Sequence, residues 1–138
     1  MEFDHLTIRT RDLEATRAFF EKVLDVTEGE RPAIIRRIRG YWLYDEHARP
    51  VIHLIESPWD AAGEPAEAID HVGIRPDGTS VAFAARLKRL GVPYSLMDVP
   101  ELQERRVFFR SPGGPLLEAV FDEATHNPGQ NRRTHHAI

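Results

Sequence analysis

The sequence predicts an α+β chain built from two tandem βαβββ modules. Three observations carry this. Asp-His-Leu-Thr-Ile-Arg at residues 4–9 returns as Asp-His-Val-Gly-Ile-Arg at residues 70–75, with four of six positions identical. Each copy then enters a run with apolar residues at helical spacing. Each copy closes on an extended apolar run that follows a turn signal. Self-similarity at a fixed interval, here 66 residues, marks a duplicated supersecondary unit.

The elements follow in order. Residues 4–9 alternate as a strand. In RDLEATRAFFEKVLDV (11–26), Leu13, Thr16, Phe20, Val23 and Leu24 share one helical face. Asp12 and Glu14 sit where the positive end of the helix favours them. Ala33–Arg39 and Tyr41–Asp45 read as strands, the first an edge strand shielded by its arginines, and RPVIHLIES (49–57) as the closing strand. PWDAAGEPAE (58–67) has the composition of a linker. The second copy repeats the order. A strand at 70–75 precedes a helix over 79–92, capped by Thr79 or Ser80, carrying Phe83, Leu87 and Leu90, and stopped by Gly91. Tyr94–Asp98, Arg106–Arg110 and GGPLLEAVF (113–121) complete it, with Phe108 and Phe109 assigned to the core. The expected division is one domain over 1–122, with modules at 1–57 and 68–122, and a disordered tail over 123–138.

Composition narrows the function. The chain has 138 residues, 41% apolar and 29% charged, which suits one globular domain. A net charge of −4 argues against nucleic acid as a partner. With no cysteine there is no disulfide framework and no thiolate ligand or nucleophile. No apolar stretch is long enough to span a membrane, and the charged start lacks a signal-peptide core, so a cytoplasmic protein is expected. There is no phosphate loop, nucleophile elbow or dinucleotide fingerprint.

Any metal must therefore be held by His, Asp or Glu. His47 falls in a polar turn, and His126, His135 and His136 in the tail. His5, His53 and His71 fall in strands among apolar neighbours. Duplication pairs His5 with His71, and alignment on Pro50 and Pro115 pairs His53 with Glu118. The intervals His5–His53 and His71–Glu118 are 48 and 47 residues, as duplicated ligand positions require. Three imidazoles and a carboxylate suit one divalent ion such as Fe, Zn, Mn, Ni or Co. His5, His71 and Glu118 alone form a two-His, one-carboxylate triad with open positions. A cation would also offset the cost of burying Glu118 on a strand. Arg9 and Arg75 share strand faces with His5 and His71, where they suit an anionic substrate group or, equally, surface ion pairs. Trp42 and Tyr44 alternate on one strand and are candidates for lining the site. The run from Ile35 to Arg39 is a basic patch or a charged edge.

DHLTIRTRDLEATRAFFEKVLDV, PVIHLIES, DHVGIRP and VFFRSPGGPLLEAVF together resemble the vicinal oxygen chelate superfamily over most of residues 3–121. That superfamily includes glyoxalase I, methylmalonyl-CoA epimerase, extradiol dioxygenases and the fosfomycin and bleomycin resistance proteins. Ser111 stands where the family has Asp in its turn. The resemblance implies curved sheets around a cleft floored by the metal, with His5, His53, His71 and Glu118 at the four ligand positions. It also implies an anion-binding role for Arg9 and a homodimer. The glyoxalase I pattern has Glu where this chain has His53, which leaves Glu118 as the only matched carboxylate and weighs against glyoxalase I activity. The leading expectation is a lyase or isomerase acting on a small substrate chelated through adjacent oxygens. There Glu118 is a ligand and His53 a fourth ligand or an acid/base. The alternatives are an Fe(II) extradiol dioxygenase and a non-catalytic binding or resistance protein.

Overall fold

A computed structural model describes residues 1–57, 67–112 and 114–123. Most of the expected linker, Gly113 and almost all of the expected tail lie outside the described residues.

The strands are β1 (Glu2–Thr10), β2 (Thr27–Gly29), β3 (Gly40–Tyr44), β4 (Pro50–Glu56), β5 (Glu67–Arg75), β6 (Tyr94–Val99), β7 (Glu104–Arg110) and β8 (Leu116–Asp122). The helices are α1 (Leu13–Leu24) and α2 (Ser80–Arg89), with one 3-10 turn at Pro100–Leu102. Each repeat thus runs strand, helix and three strands. The chain divides into two compact units, His5–Asp70 and Met1–Asp4 together with the chain from His71 onward. The first residues of β1 therefore belong with the later half of the sequence.

In the first unit the strand order is β2-β3-β4-β1. β1 and β4 are parallel, which the intervening helix makes possible, with Thr7 opposite His53. β3 and β4 form an antiparallel pair with Trp42 opposite His53. The core is Ile8, Leu13, Val26, Leu43, Ile52 and Leu54. In the second unit the order is β5-β8-β7-β6. β5 and β8 are parallel with Gly73 opposite Glu118, and β7 pairs antiparallel with β8, placing Phe108 opposite Glu118. Its core is Leu87, Val107, Ala119 and Phe121, with Phe83 and Phe109 packed against it. The registers reproduce the duplication pair by pair: Thr7 and Gly73 are equivalent, as are Trp42 and Phe108, and His53 and Glu118.

Both helix starts form as the sequence indicates. The Asp12 side chain accepts from the Ala15 amide at 3.0 Å, and Thr79 from the Ala82 amide at 3.2 Å. Gly91 stops α2 with φ +69°, a left-handed value that favours glycine. The Asp12→Ala substitution is expected to cost about 1 kcal/mol, measurable by urea denaturation. Two expectations fail. Val23, Leu24 and Leu90 are exposed, so each helix buries a narrower face than its apolar periodicity suggests. Residues 33–39 form consecutive turns and not a strand. The Arg31 guanidinium gathers the carbonyls of Ile35, Ile38 and Gly40, and the amides of Ile35, Arg36 and Ile38 each bond three residues back. These local bonds override the β preference of the isoleucines.

Candidate metal centre

In the second unit, β8 carries Glu118 inward at 1% exposure. One oxygen, Oε2, lies 2.8 Å from His71 Nε2 on the neighbouring β5. The other, Oε1, accepts from Arg106 on β7 at 2.9 Å. Arg106 is itself buried and donates at 2.9 Å to Glu104. Glu104 in turn accepts from Arg75 at 2.6 Å. Arg75 also reaches Asp4 at 2.5 Å and Asp122 at 2.9 Å. One ionic chain therefore runs from His71 to the residue that precedes His5 on β1. Burial disfavours the charge on Arg106, but Glu118 and Glu104 outweigh it and hold the guanidinium above its usual range. Arg75 is raised in the same way: burial acts against its charge, and its bonds to Asp122 and Asp4 prevail.

In the first unit the equivalent position is occupied by a stack of rings. The His53 imidazole lies parallel to Trp42 at 4.1 Å and to His5 at 4.0 Å. All three residues are buried. His53 Nε2 lies 3.0 Å from the Pro50 carbonyl oxygen, which can only accept, so this nitrogen carries the proton. Trp42 is the cross-strand partner of His53, so the stack follows from the β3–β4 register.

The His71–Glu118 pair suits a divalent cation. Adjacent ligands at ~2.1 Å around an octahedral ion stand roughly 3 Å apart, close to the separation of these two atoms. His71, 14% exposed, keeps access to solvent while Glu118 does not.

No family profile and no curated protein matches the sequence. Solved structures do. Methylmalonyl-CoA epimerase from Mycobacterium tuberculosis superposes with a TM-score of 0.66 at 20% identity, over 91% of this chain and 89% of that one. The 2,3-dioxygenase LapB from Pseudomonas sp. KL28 gives 0.66 at 23% identity, over 90% of this chain and 41% of that one. The Mn(II)-bound glyoxalase from Novosphingobium aromaticivorans gives 0.63 at 20% identity, over 94% and 42%. The chain has the vicinal oxygen chelate fold. It spans most of the epimerase and less than half of the other two proteins.

Within this fold the expected site residues meet different fates. His71 and Glu118 are in direct contact. His53 is enclosed between two rings, with Nε2 committed to a backbone carbonyl. Trp42 is buried against His53, so it supports a ring and does not line an open surface. The half-buried Tyr44 donates its hydroxyl to the Glu30 carbonyl. Arg75, expected to meet either an anionic substrate group or ion-pair partners, is engaged by three carboxylates. Arg9 is half-buried on β1 and has no ion pair among the described residues. The basic run at 35–39 serves the turn around Arg31.

Arg106 and Glu104 do not stand out in the sequence, and with them part of the reason Glu118 tolerates burial stays hidden there. A signal is nevertheless present. A β7–β8 hairpin with Phe108 opposite Glu118 puts Arg106 diagonally across from Glu118 on the same face. No helix among the described residues is long and apolar enough to cross a membrane.

Proposed function

We propose that this chain is a divalent-metal-dependent enzyme of lyase or isomerase type, with His5, His71 and Glu118 as metal ligands. Each offers one ligand atom, an imidazole nitrogen or a carboxylate oxygen. The observation that carries the reading is the Glu118 carboxylate, almost fully buried with one oxygen turned to an imidazole nitrogen. When bound, the ion supplies Lewis acidity toward two adjacent oxygens of a small substrate. His71 and Glu118 contribute their donor atoms from neighbouring strands, which hold them more rigidly than loops would. His5 follows Asp4, which Arg75 anchors, and the His53 ring sets the plane of the His5 imidazole. In this reading His53 is a positioning residue. Arg9 is the remaining candidate for an anionic substrate group, and a homodimer is the proposed assembly.

The epimerase likeness supports the isomerase branch, because the two chains have nearly the same extent. Metal-loaded protein is expected to exchange the α-proton of methylmalonyl-CoA in D₂O, followed by proton NMR, and to consume no oxygen. Metal uptake without exchange would reject this substrate class. A dioxygenase reading is favoured by the two-His, one-carboxylate donor set and the likeness to LapB. Oxygen uptake with a catechol after anaerobic Fe(II) loading would decide for it. Absence of any metal uptake would reject both and favour the binding-protein reading.

A further inference from the structure

We propose that Arg106 is the built-in counter-cation of Glu118, pairing with and orienting the carboxylate in the metal-free protein and competing with a bound cation for it. The geometry is specific. Arg106 NH1 lies 2.9 Å from Glu118 Oε1, and the opposite oxygen, Oε2, is the one turned to His71. Arg106 thus fixes which oxygen faces the imidazole. Both side chains are almost completely buried, where an unpaired carboxylate is costly. NH2 of the same guanidinium holds Glu104 at 2.9 Å, so the group is locked from two sides. A planar fork bridging two carboxylates needs arginine, because lysine would present a single point of charge.

The duplication supplies a built-in comparison. The residue equivalent to Arg106 in the first repeat is Gly40, which pairs with Ile55 two places beyond His53, as Arg106 pairs with Val120 two places beyond Glu118. A Cβ at Gly40 would come within 2.0 Å of the Leu54 carbonyl oxygen. No cation can be supplied from that position, and there the carboxylate position is filled by His53. A supported carboxylate and its arginine occur together, and both are absent together.

The counter-cation claim stands on the ion pair, and its metal clause rests on the function proposed above. The test compares wild type, R106Q, E118Q and the double variant by thermal denaturation after chelation, and by Mn(II) titration calorimetry. R106Q is expected to melt on the order of 10 °C lower without metal. Adding E118Q should recover much of that loss, since the orphaned charge is then gone. Failure of R106Q to fold, cured by E118Q, supports the ion pair equally. R106Q should also bind Mn(II) more tightly, by about 5–150-fold. Equal destabilisation by R106Q with and without E118Q would overturn the proposal, as would Mn(II) affinity lowered tenfold in R106Q. A positive cycle with no Mn(II) uptake by any variant keeps the ion pair and overturns the metal reading alone.

Discussion

Glu118→Ala is expected to abolish metal uptake and to destabilise the protein by about 3–5 kcal/mol. The carboxylate lies between His71 and Arg106, and truncation leaves the Arg106 cation buried beside Glu104, without its second carboxylate. Losing one partner of a buried pair costs more than losing an exposed one, because the other charge stays desolvated. Glu118→Gln separates the two effects. Its amide oxygen still accepts from Arg106, so the fold loses less, while the anionic donor for a divalent ion is gone. Plasma mass spectrometry of metal per chain and urea denaturation report the two quantities on the same samples. About one metal per chain retained by Glu118→Ala would remove the carboxylate from the ligand set.

His53→Glu should carry a comparable cost for the opposite reason. The substitution places a carboxylate at the position equivalent to Glu118, but Gly40 stands where the supporting arginine would be. Position 53 is buried between two rings, so the new carboxyl is desolvated without an arginine at that equivalent position. Its pKa then lies above the usual value of about 4.3. The sign follows: below that value the group is neutral in both folded and unfolded chains and costs little. As the pH rises the unfolded chain ionises first, and stability falls by about 3–5 kcal/mol toward neutrality. Denaturation of His53→Glu and wild type at pH 4 and pH 7 measures this. A variant equally stable at both would show that the site supplies a cation of its own.

The duplicated Asp-His motif and its interval made the architecture legible, because the opening and closing strands of each repeat kept their period and each helix its cap. The His71–Glu118 contact was legible too, since parallel registers repeat when strand lengths repeat. What stayed hidden was whatever depends on contacts that are not periodic. The Ile35–Arg39 run looked like a strand because its β preference is local, whereas the Arg31 bonds that fold it into turns reach as far as Gly40. His53 looked like a ligand because it aligned with one. Ring stacking with Trp42 and the bond to Pro50 come from cross-strand geometry and a bulge that alignment does not carry. Arg75 looked available because its partners lie at the two ends of the described chain, at Asp4 and Asp122, and on β7 at Glu104.

The bond between Asp4 and Arg75 spans 71 positions of sequence. A ribosome adding about 5–20 residues per second leaves Asp4 waiting roughly 4–14 s before its arginine exists. The beginning of the first strand is thus made first and secured late, after the chain has closed one of its longest loops. Such distant closures slow folding. During that interval the opening residues, Phe3 among them, are a loose β edge that a neighbouring nascent chain could capture. A lower expression level, which thins out neighbouring nascent chains without slowing elongation, or a prompt chaperone should therefore improve the yield of this protein more than added metal does.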